Sequence, residues 1–335
     1  MVNQKAQPLS SRNHVGSVVE RSPRLVDPHG RWIHKLRVQI TDACNFRCFY
    51  CMPDQPRFMP PNLLLKVDPL VETVRHLVAH GIDEVRVTGG EPTLRPEFAE
   101  IMEKLSDLPM RKLGLTTNGF LLDRALDRLR ATRLRHSNIS LDSLEADNFR
   151  RITKTRAFKQ VMRAILRARD MGFTVKINCL LFRGRNDHEL ADFVRFSARE
   201  GLEVRFLEYM RIGSEYENHA ATFLSAGEAI ERLEKDGFTL LREPVPKDST
   251  SFNFRTPEGA TIGFIASETQ PFCQHCSRLR LTATGMLRSC LMAPWGKSLR
   301  DVPVESIGPV IAEVMAMKPT GRRKEIKQDM YTIGG

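Results

Sequence analysis

Short apolar runs alternate with amphipathic segments between residues 36 and 207. The apolar runs cover residues 36–40, 85–87, 112–115, 138–141, 173–181 and 204–207, and each is typical of a short buried strand. The segments between them carry apolar residues at helical spacing, for example Leu70, Val71, Val74, Leu77 and Val78. Because strands that alternate with helices pair in parallel through right-handed crossovers, the pattern predicts an α/β fold.

Polar residues follow four of these predicted strands. They form the segments 88–91, 116–119, 142–143 and 208–210. Glycine and asparagine can simply make turns there. However, ligands of parallel sheets bind at the carboxyl ends of the strands, and four such segments at equivalent positions favour one shared site.

The alternation stops after about Gly213. Residues 263–266 and 279–284 then predict two further strands, and residues 310–317, directly after Pro309, predict a helix. Residues 1–30 show no sustained apolar period. We therefore expect an N-terminal extension at 1–30, a core domain at 31–212 and a C-terminal region at 213–335.

The composition is typical of a soluble globular protein, since 41% of the 335 residues are apolar and 27% are charged. No run approaches the ~18 apolar residues of a membrane helix, and no signal peptide is evident, so we expect a cytoplasmic, unprocessed chain without a membrane partner. The net charge of +11 would suit a zinc-bearing nucleic-acid binder. Against that hypothesis, the basic residues are dispersed, and two Trp and four Tyr give no stacking array, so no nucleic-acid partner is expected.

Six of the seven cysteines form two trios that more than 220 residues separate. An odd number of cysteines without a secretion signal does not suit a disulfide framework, whereas clustered thiols in a reducing cytosol favour metal or redox centres. The seventh, Cys179, lies in an apolar stretch and is expected to be a buried structural residue.

The first trio follows the first predicted strand with the spacing C-x3-C-x2-C, at Cys44, Cys48 and Cys51. An iron–sulfur cube has four corners to fill, so three cysteines leave one iron free to bind and activate a small molecule. Zinc is the alternative. A closed zinc site normally needs a fourth local ligand, and His34 lies on the far side of the strand.

The second trio has the spacing C-x2-C-x13-C, at Cys273, Cys276 and Cys290. Taken alone, it suits zinc, which His275 or a remote histidine could complete, as well as it suits iron–sulfur. Strand alternation places Arg278 and Arg280 on one face. Two guanidinium groups beside an open iron would suit an anionic, nitrogen-bearing ligand.

The first trio, with Tyr50 before its last cysteine, resembles the cysteine motif of the radical S-adenosylmethionine enzymes. Residues 88–92, Thr-Gly-Gly-Glu-Pro, are similar to the GGEP motif of the same superfamily. The resemblance implies a partial (β/α)6 TIM-like barrel and a [4Fe-4S] cluster. It also implies that the cluster binds S-adenosylmethionine and cleaves it to a 5′-deoxyadenosyl radical.

A longer likeness, from about residue 25 to the end, is to one branch of that superfamily, the GTP 3′,8-cyclase family. It implies a lyase that converts GTP to (8S)-3′,8-cyclo-7,8-dihydroguanosine 5′-triphosphate, the first step of molybdenum cofactor biosynthesis. It also implies a C-terminal extension that carries a second [4Fe-4S] cluster. The likeness rests on residues 41–48, 87–92, 115–119, 140–143, 205–210 and 272–291, and on the double-glycine end at 334–335.

Carried over residue by residue, the likeness assigns three kinds of site. The two clusters are held by Cys44, Cys48 and Cys51 and by Cys273, Cys276 and Cys290. S-adenosylmethionine is contacted by Tyr50, Gly90, Ser140 and Met210. GTP is contacted by Arg37, Arg86, Thr117, Lys176, Arg278, Leu279 and Arg280, of which Arg37, Arg278 and Arg280 also act in catalysis. Without the family match, Arg86 could be a solvated strand residue and Met210 a core residue.

The likeness also implies partners: GTP, an electron donor, and a downstream cyclic pyranopterin monophosphate synthase, with a homodimer as one option for the assembly. Departures from the family are Ser289 in place of a frequent proline, Arg211 in place of a common acidic residue, and the long N-terminal extension. The alternative is another radical S-adenosylmethionine enzyme with an auxiliary cluster, of the peptide-modifying or sulfatase-maturing type. The pair Arg278 and Arg280 inside the second trio discriminates against it.

Overall fold

The computed structural model describes residues 24–53, 55–213 and 219–334. Most of the predicted extension at 1–30, namely residues 1–23, lies outside the described residues, as does Gly335 of the double-glycine end. In the part of the chain that the structure describes, no helix is long and apolar enough to cross a membrane.

Six consecutive parallel strands form the centre of the fold, and their ends differ by at most two residues from those predicted. Each strand pairs in register with the next along the chain. The α/β barrel prediction is therefore confirmed. The strands are β1 (Lys35–Gln39), β2 (Glu84–Thr88), β3 (Lys112–Thr117), β4 (His136–Ser140), β5 (Thr174–Leu180) and β6 (Glu203–Leu207).

Amphipathic helices connect these strands and cover the outside of the sheet. In the helix Phe158–Asp170, the buried residues Val161, Ala164, Ile165 and Ala168 recur at helical spacing and form one apolar face. The helices are α1 (Val67–Ala79), α2 (Phe98–Ser106), α3 (Leu122–Arg130), α4 (Ala146–Thr153), α5 (Phe158–Asp170) and α6 (Leu190–Glu200).

The residues after 213 extend the same sheet at both of its ends. The elements are α7 (His219–Thr222), α8 (Ala226–Lys235), β7 (Leu241–Glu243), β8 (Phe252–Arg255), β9 (Thr261–Ile265), β10 (Arg278–Leu281), β11 (Met286–Arg288), β12 (Lys297–Ser298), α9 (Val304–Ala316) and α10 (Met330–Ile333). Strand β9 pairs in parallel with β6, and β10 pairs in parallel with β1. The order is β12-β11-β10-β1-β2-β3-β4-β5-β6-β9-β8-β7, and within the described residues the outer strands β7 and β12 do not pair, so the barrel is open.

Helix α9 begins six residues before the predicted start at residue 310, so Pro309 lies inside the helix and not before it. Proline lacks the N–H that a residue inside a helix donates to the preceding turn, and it is tolerated in the first turn of a helix. Pro309 therefore suggested that the helix begins beside it. The helix nevertheless forms around it, because Ile307, Ile311 and Val314 are buried on one face.

The candidate active site at the carboxyl ends of the strands

A cavity of about 400 Å³ lies at the carboxyl ends of the parallel strands. Its lining includes residues at the ends of β3, β4, β5 and β6, and the loops that follow them. All six cysteines of the two trios line it: Cys44, Cys48, Cys51, Cys273, Cys276 and Cys290. The sheet therefore brings the two trios together, although they are far apart in the sequence.

The first trio lies on the loop that follows β1. The loop is held against α4, because the amide of Arg47 donates to the carbonyl of Thr153 at 3.1 Å and the amide of Phe49 donates to Ile152 at 3.2 Å. The amide of Cys51 donates to the carbonyl of Cys48 at 3.0 Å, which makes a tight turn between these two ligand candidates. These contacts fix the cysteines at one end of the cavity lining.

Burial strongly disfavours the thiolate form of the first trio. It raises the pKa of Cys44 to about 11 and that of Cys51 to about 12, and the pKa of Cys48 is raised well above its ordinary value for the same reason. A metal centre supplies the positive charge that converts such buried thiols to thiolates. The burial is therefore suited to a bound metal centre and not to three free reactive thiols.

The second trio has a different electrostatic environment. Cys273 begins a short turn, in which the amide of Cys276 donates to its carbonyl at 3.2 Å, and Cys290 follows β11. Burial raises the pKa of the Cys276 thiol, but the cations of Arg278 and Lys318 outweigh that effect and lower the pKa to about 6. Cys276 is therefore prepared to act as a thiolate before any metal binds.

The spread of the sulfur atoms bears on which metal centre would fit. Among the described residues, His34, Asp83 and Glu84 form one group of metal-ligand atoms that all lie within 4.8 Å of one another, and neither cysteine trio forms such a group. Sulfurs bound to one tetrahedral zinc at ~2.3 Å lie only ~4 Å apart. The wider spacing fits a polynuclear cluster, whose metal corners are further apart.

The backbone of the segment after β2 forms hydrogen bonds with the backbone of the loop that carries the first trio. The amide of Gly90 donates to the carbonyl of Thr41 at 2.8 Å, and that of Glu91 donates to Ala43 at 2.7 Å. A Cβ atom added at Gly90 would lie 2.2 Å from the carbonyl oxygen of Asp42, so a side chain cannot be accommodated there. Glycine at position 90 therefore allows this close packing at the cavity wall.

Glu91 joins the loops that follow β2 and β3. It is fully buried, and its carboxylate accepts hydrogen bonds from the Thr117 hydroxyl at 2.7 Å and from the amide of Asn118 at 2.6 Å. The amide of Thr93 also donates to it, at 3.0 Å. Thr117 and Asn118 line the cavity, so their hydrogen bonds to Glu91 hold this part of the cavity wall in position.

Tyr50 donates from its hydroxyl to Asp142 at 2.6 Å, and both residues line the cavity. The amide of Leu180 donates to the other carboxylate oxygen at 2.9 Å. Burial nevertheless raises the pKa of Asp142 to about 6, and it raises the pKa of Tyr50 well above its ordinary value. Sequence reasoning missed Asp142 as a site residue, although it lies in the polar segment 142–143 after β4.

A row of three arginines crosses three neighbouring strands, and two of the three line the cavity. Arg37 on β1 is paired in register with Arg280 on β10 and with Arg86 on β2. Burial lowers the pKa of Arg37 well below its ordinary value, and the nearby guanidinium groups lower it further. Arg37, Arg278 and Arg280 line the cavity, as do Arg205 and Arg322. These five cations outnumber the two carboxylates of the lining, Asp142 and Glu208, so the cavity is suited to a polyanion.

Most of the residues that sequence reasoning assigned to the site line this cavity. They are the six cysteines, Tyr50, Gly90, Ser140 and Met210, and Arg37, Thr117, Arg278 and Arg280. Three others do not line it. Arg86 donates to the carbonyl of Leu115 at 2.8 Å, Lys176 bonds Glu203 at 2.5 Å, and the side chain of Leu279 is fully buried in the core.

Sequence reasoning also missed Arg205 and Arg322 as lining residues. Arg205 lies on β6, and its Nε donates to Glu203 at 2.5 Å. The alternation of polar and apolar residues in β6 is a signal that could have indicated that Arg205 points into the barrel. Arg322 contacts Glu268 and carries no such signal, because it lies outside regular structure.

Two family models match consecutive parts of the chain. The radical SAM superfamily matches residues 38–197, and the family described as Molybdenum Cofactor Synthesis C matches residues 202–323. A GTP 3′,8-cyclase of Synechocystis sp. is 41% identical over 314 residues, which cover 94% of this chain and 96% of that protein. The chain belongs to the GTP 3′,8-cyclase family. A GTP 3′,8-cyclase of Aquifex aeolicus is 33% identical and matches 93% of this chain and 100% of its own length.

The family membership agrees with the resemblance that the cysteine and GGEP motifs gave. Among solved structures, Streptococcus suis SuiB bound to the precursor peptide SuiA has a TM-score of 0.62 at 12% identity, and covers 87% of this chain and 67% of its own. At that identity, the likeness shows a shared fold alone. The likeness is in keeping with the open barrel that the structure has.

Proposed function

We propose that the chain converts GTP to (8S)-3′,8-cyclo-7,8-dihydroguanosine 5′-triphosphate, the first step of molybdenum cofactor biosynthesis. The observation that carries the proposal is one cavity lined by both cysteine trios and by Arg37, Arg278 and Arg280. Relatives named GTP 3′,8-cyclase that match nearly the whole chain support it.

The first trio would hold a [4Fe-4S] cluster through Cys44, Cys48 and Cys51, and Tyr50, Gly90, Ser140 and Met210 would contact S-adenosylmethionine. When bound, this cluster and S-adenosylmethionine supply the radical chemistry that starts bond formation between ribose C3′ and guanine C8. The close packing of Gly90 against the backbone of residues 42–43 fixes one wall of this part of the cavity, and the hydrogen bond from Tyr50 to Asp142 fixes the neighbouring wall.

The second trio, Cys273, Cys276 and Cys290, would hold a second [4Fe-4S] cluster on the substrate side of the cavity. One observation supports a cluster over zinc: the three sulfurs do not all lie within 4.8 Å of one another, whereas the sulfur ligands of a single zinc ion do. An open iron in this position would anchor the guanine of GTP.

GTP carries ~4 negative charges near neutral pH, and the cations of the site would balance them. Arg37, Arg278 and Arg280 are already in the cavity, and planar guanidinium groups match phosphate oxygens in pairs. Arg86 and Lys176 are proposed as further GTP contacts that would have to turn from their present partners. Thr117 and the backbone of Leu279 complete the proposed set.

The chain's own contribution to the reaction is orientation and exclusion of water. Ribose C3′ and guanine C8 must be held close together, which binding at both ends of the nucleotide achieves. Apolar side chains such as Phe46, Leu207 and Met292 form much of the remaining lining. They would keep water and stray hydrogen donors from the reacting atoms.

The proposal is tested by anaerobic incubation of the reconstituted protein with dithionite, S-adenosylmethionine and GTP. We expect 5′-deoxyadenosine and the cyclised nucleotide to appear together, as measured by liquid chromatography and mass spectrometry. ATP in place of GTP is the matched control and should give no cyclised product. Formation of 5′-deoxyadenosine without any cyclised nucleotide would contradict the proposed substrate.

The second cluster is tested separately by metal content. Anaerobically reconstituted protein should bind about eight irons per chain, and Cys290→Ala should bind about four. The Cys290→Ala variant should still cleave S-adenosylmethionine weakly but should no longer cyclise GTP. Zinc in the second trio, or unchanged cyclisation by this variant, would contradict the assignment. The electron donor and the enzyme that consumes the product, a cyclic pyranopterin monophosphate synthase, are proposed from the family alone.

A further inference from the structure

Lys318 lies directly behind the second trio and has no part in the function proposed above. Its side chain is almost fully buried, with 3% of the residue exposed. Its ammonium group donates to the carbonyl of Arg278 at 2.7 Å and to the carbonyl of Ser289 at 2.7 Å, and lies 3.4 Å from the sulfur of Cys276. Because an ammonium has three donors, these three acceptors satisfy it completely.

The three acceptors belong to two separate segments of the chain. Arg278 begins β10 and Cys276 lies two residues before it, whereas Ser289 follows β11 and precedes Cys290. Lys318 therefore joins the segment that carries Cys273 and Cys276 to the segment that carries Cys290. The distance between these segments decides whether three sulfurs can bind one cluster.

Lys318 is itself held in place by the first described residues of the chain. His29 Nε2 lies 3.1 Å from the carbonyl of Lys318. Arg31 donates from one nitrogen to the carbonyls of Pro319 at 2.8 Å and Cys273 at 2.9 Å. A buried ion pair of 2.6 Å between Arg31 and Asp27 fixes that guanidinium group. This contact network ties residues 27–31 to the second trio.

The position of Lys318 also has an electrostatic consequence. A buried ammonium group is costly unless its donors find acceptors, and the sulfur of Cys276 is one of the three acceptors within its reach here. Hydrogen bonds to sulfur ligands stabilise the more negative, reduced state of an iron–sulfur cluster and so raise its reduction potential.

We propose that Lys318 is a positioning residue of the second trio, which fixes its two segments relative to each other and donates a hydrogen bond to the Cys276 ligand of the bound cluster. The proposal rests on the proposed function, in which that trio holds a [4Fe-4S] cluster. It adds a residue behind the cluster that sets the cluster's reduction potential.

The test uses a parent protein in which Cys44, Cys48 and Cys51 are replaced by Ala, so that only the second trio can bind iron. Lys318→Met removes the hydrogen-bond donor and keeps an unbranched side chain of similar length. Lys318→Gln keeps a hydrogen-bond donor, but on a shorter and neutral side chain. Lys324→Met is the matched control, because Lys324 is exposed on the same C-terminal segment. The readouts are iron per chain and the midpoint potential of the cluster in a redox titration followed by electron paramagnetic resonance.

For Lys318→Met, we expect the one-electron reduction equilibrium to shift at least tenfold toward the oxidised cluster, which is a fall of ~59 mV in midpoint potential. Lys318→Gln should show a smaller fall, and it decides the test if circular dichroism shows that Lys318→Met does not fold. Lys324→Met should match the parent.

The two proposals fail in distinguishable ways. A parent protein that binds no iron would overturn the second cluster, and the role of Lys318 with it. A parent with about four irons whose potential is unchanged by Lys318→Met and by Lys318→Gln would overturn the role of Lys318 alone.

Discussion

Arg37 lines the cavity and lies between two other arginines, one on each neighbouring strand. Like charges in register repel each other, and burial adds to the cost of the charged form, which is why the pKa of Arg37 is held well below its ordinary value. A bound polyanion would remove that repulsion. The row of arginines therefore lowers the stability of the free protein and raises its affinity for an anionic substrate.

We predict that Arg37→Met raises the free energy of unfolding by about 1 kcal/mol, because it removes a buried charge and its repulsion. The same change should weaken GTP binding about 10- to 100-fold, or ~1.4–2.8 kcal/mol. Urea denaturation and titration calorimetry measure the two effects. Arg195→Met, at an exposed position on α6, should change neither. A less stable Arg37→Met protein that binds GTP normally would contradict this account.

Asp142 gives a pH-dependent contribution to stability whose sign follows from its raised pKa. The ordinary pKa of 3.8 applies to the unfolded chain, and burial raises it to about 6 in the folded protein. The folded state therefore holds a proton at pH values where the unfolded chain has lost it. The stabilising contribution is fully present below pH 3.8 and is lost as the pH rises to about 6.

We predict that Asp142→Asn removes this dependence. Between pH 4 and 6, the free energy of unfolding of the unmodified protein should fall relative to that of the variant, by up to ~1.4 kcal/mol per pH unit. Urea denaturation at a series of pH values measures the difference. Parallel curves for the two proteins over this range would show that Asp142 does not titrate as described.

At the scale of elements, Glu91 shows how loops after different strands become one wall. Its buried carboxylate accepts from Thr117 and Asn118 after β3, while its own amide is bound to the first trio's loop after β1. Loss of the carboxylate would leave these donors unsatisfied in the interior, at a cost of ~1–3 kcal/mol for each buried group.

We predict that Glu91→Ala lowers the free energy of unfolding by about 3 kcal/mol and abolishes binding of S-adenosylmethionine, because Gly90 and Thr117 lose their positions. Glu100→Ala is the control, because the ion pair of Glu100 with Lys104 is exposed to solvent and its loss should cost under ~1 kcal/mol. Denaturation curves and equilibrium dialysis with labelled S-adenosylmethionine measure the two effects. Normal cofactor binding by Glu91→Ala would contradict the role of this residue.

The central strands could be predicted from the sequence because each is a compact apolar run whose signal is local. Strands β7, β8, β11 and β12 were not predicted, since they are two to four residues long and lie near the sheet edges, where few apolar residues are needed. The start of α9 was missed because Pro309 gives a strong local signal that the buried face of the helix overrides.

The candidate site was predicted to a similar extent and for similar reasons. Cysteine spacing and glycine motifs are local in the sequence, so both trios and Gly90 could be named from it. The roles of Asp142 and Lys318 come from burial and from contacts with residues distant in the chain, so the sequence does not reveal them. Arg205 was missed although the alternation in β6 is a local signal for it. The proposed roles of Arg86 and Lys176 remain predictions.

At the scale of the whole molecule, strand order explains how two distant trios come to line one cavity. Because β10 pairs with β1, residues 273–281 lie beside the segment that leads to Cys44. The same pairing adds Arg280 to the row that Arg37 and Arg86 begin. Part of the net charge of +11 is therefore concentrated inside the barrel, where it would serve a single bound nucleotide.

The central claim is that this cavity holds ribose C3′ of GTP next to the adenosyl carbon of S-adenosylmethionine. The most direct measurement uses GTP deuterated at C3′ in a single anaerobic turnover and determines the mass of the 5′-deoxyadenosine that forms. We predict one deuterium transferred to 5′-deoxyadenosine, together with loss of that deuterium from the cyclised nucleotide. Unlabelled 5′-deoxyadenosine formed alongside product, or label retained at C3′, would contradict the account.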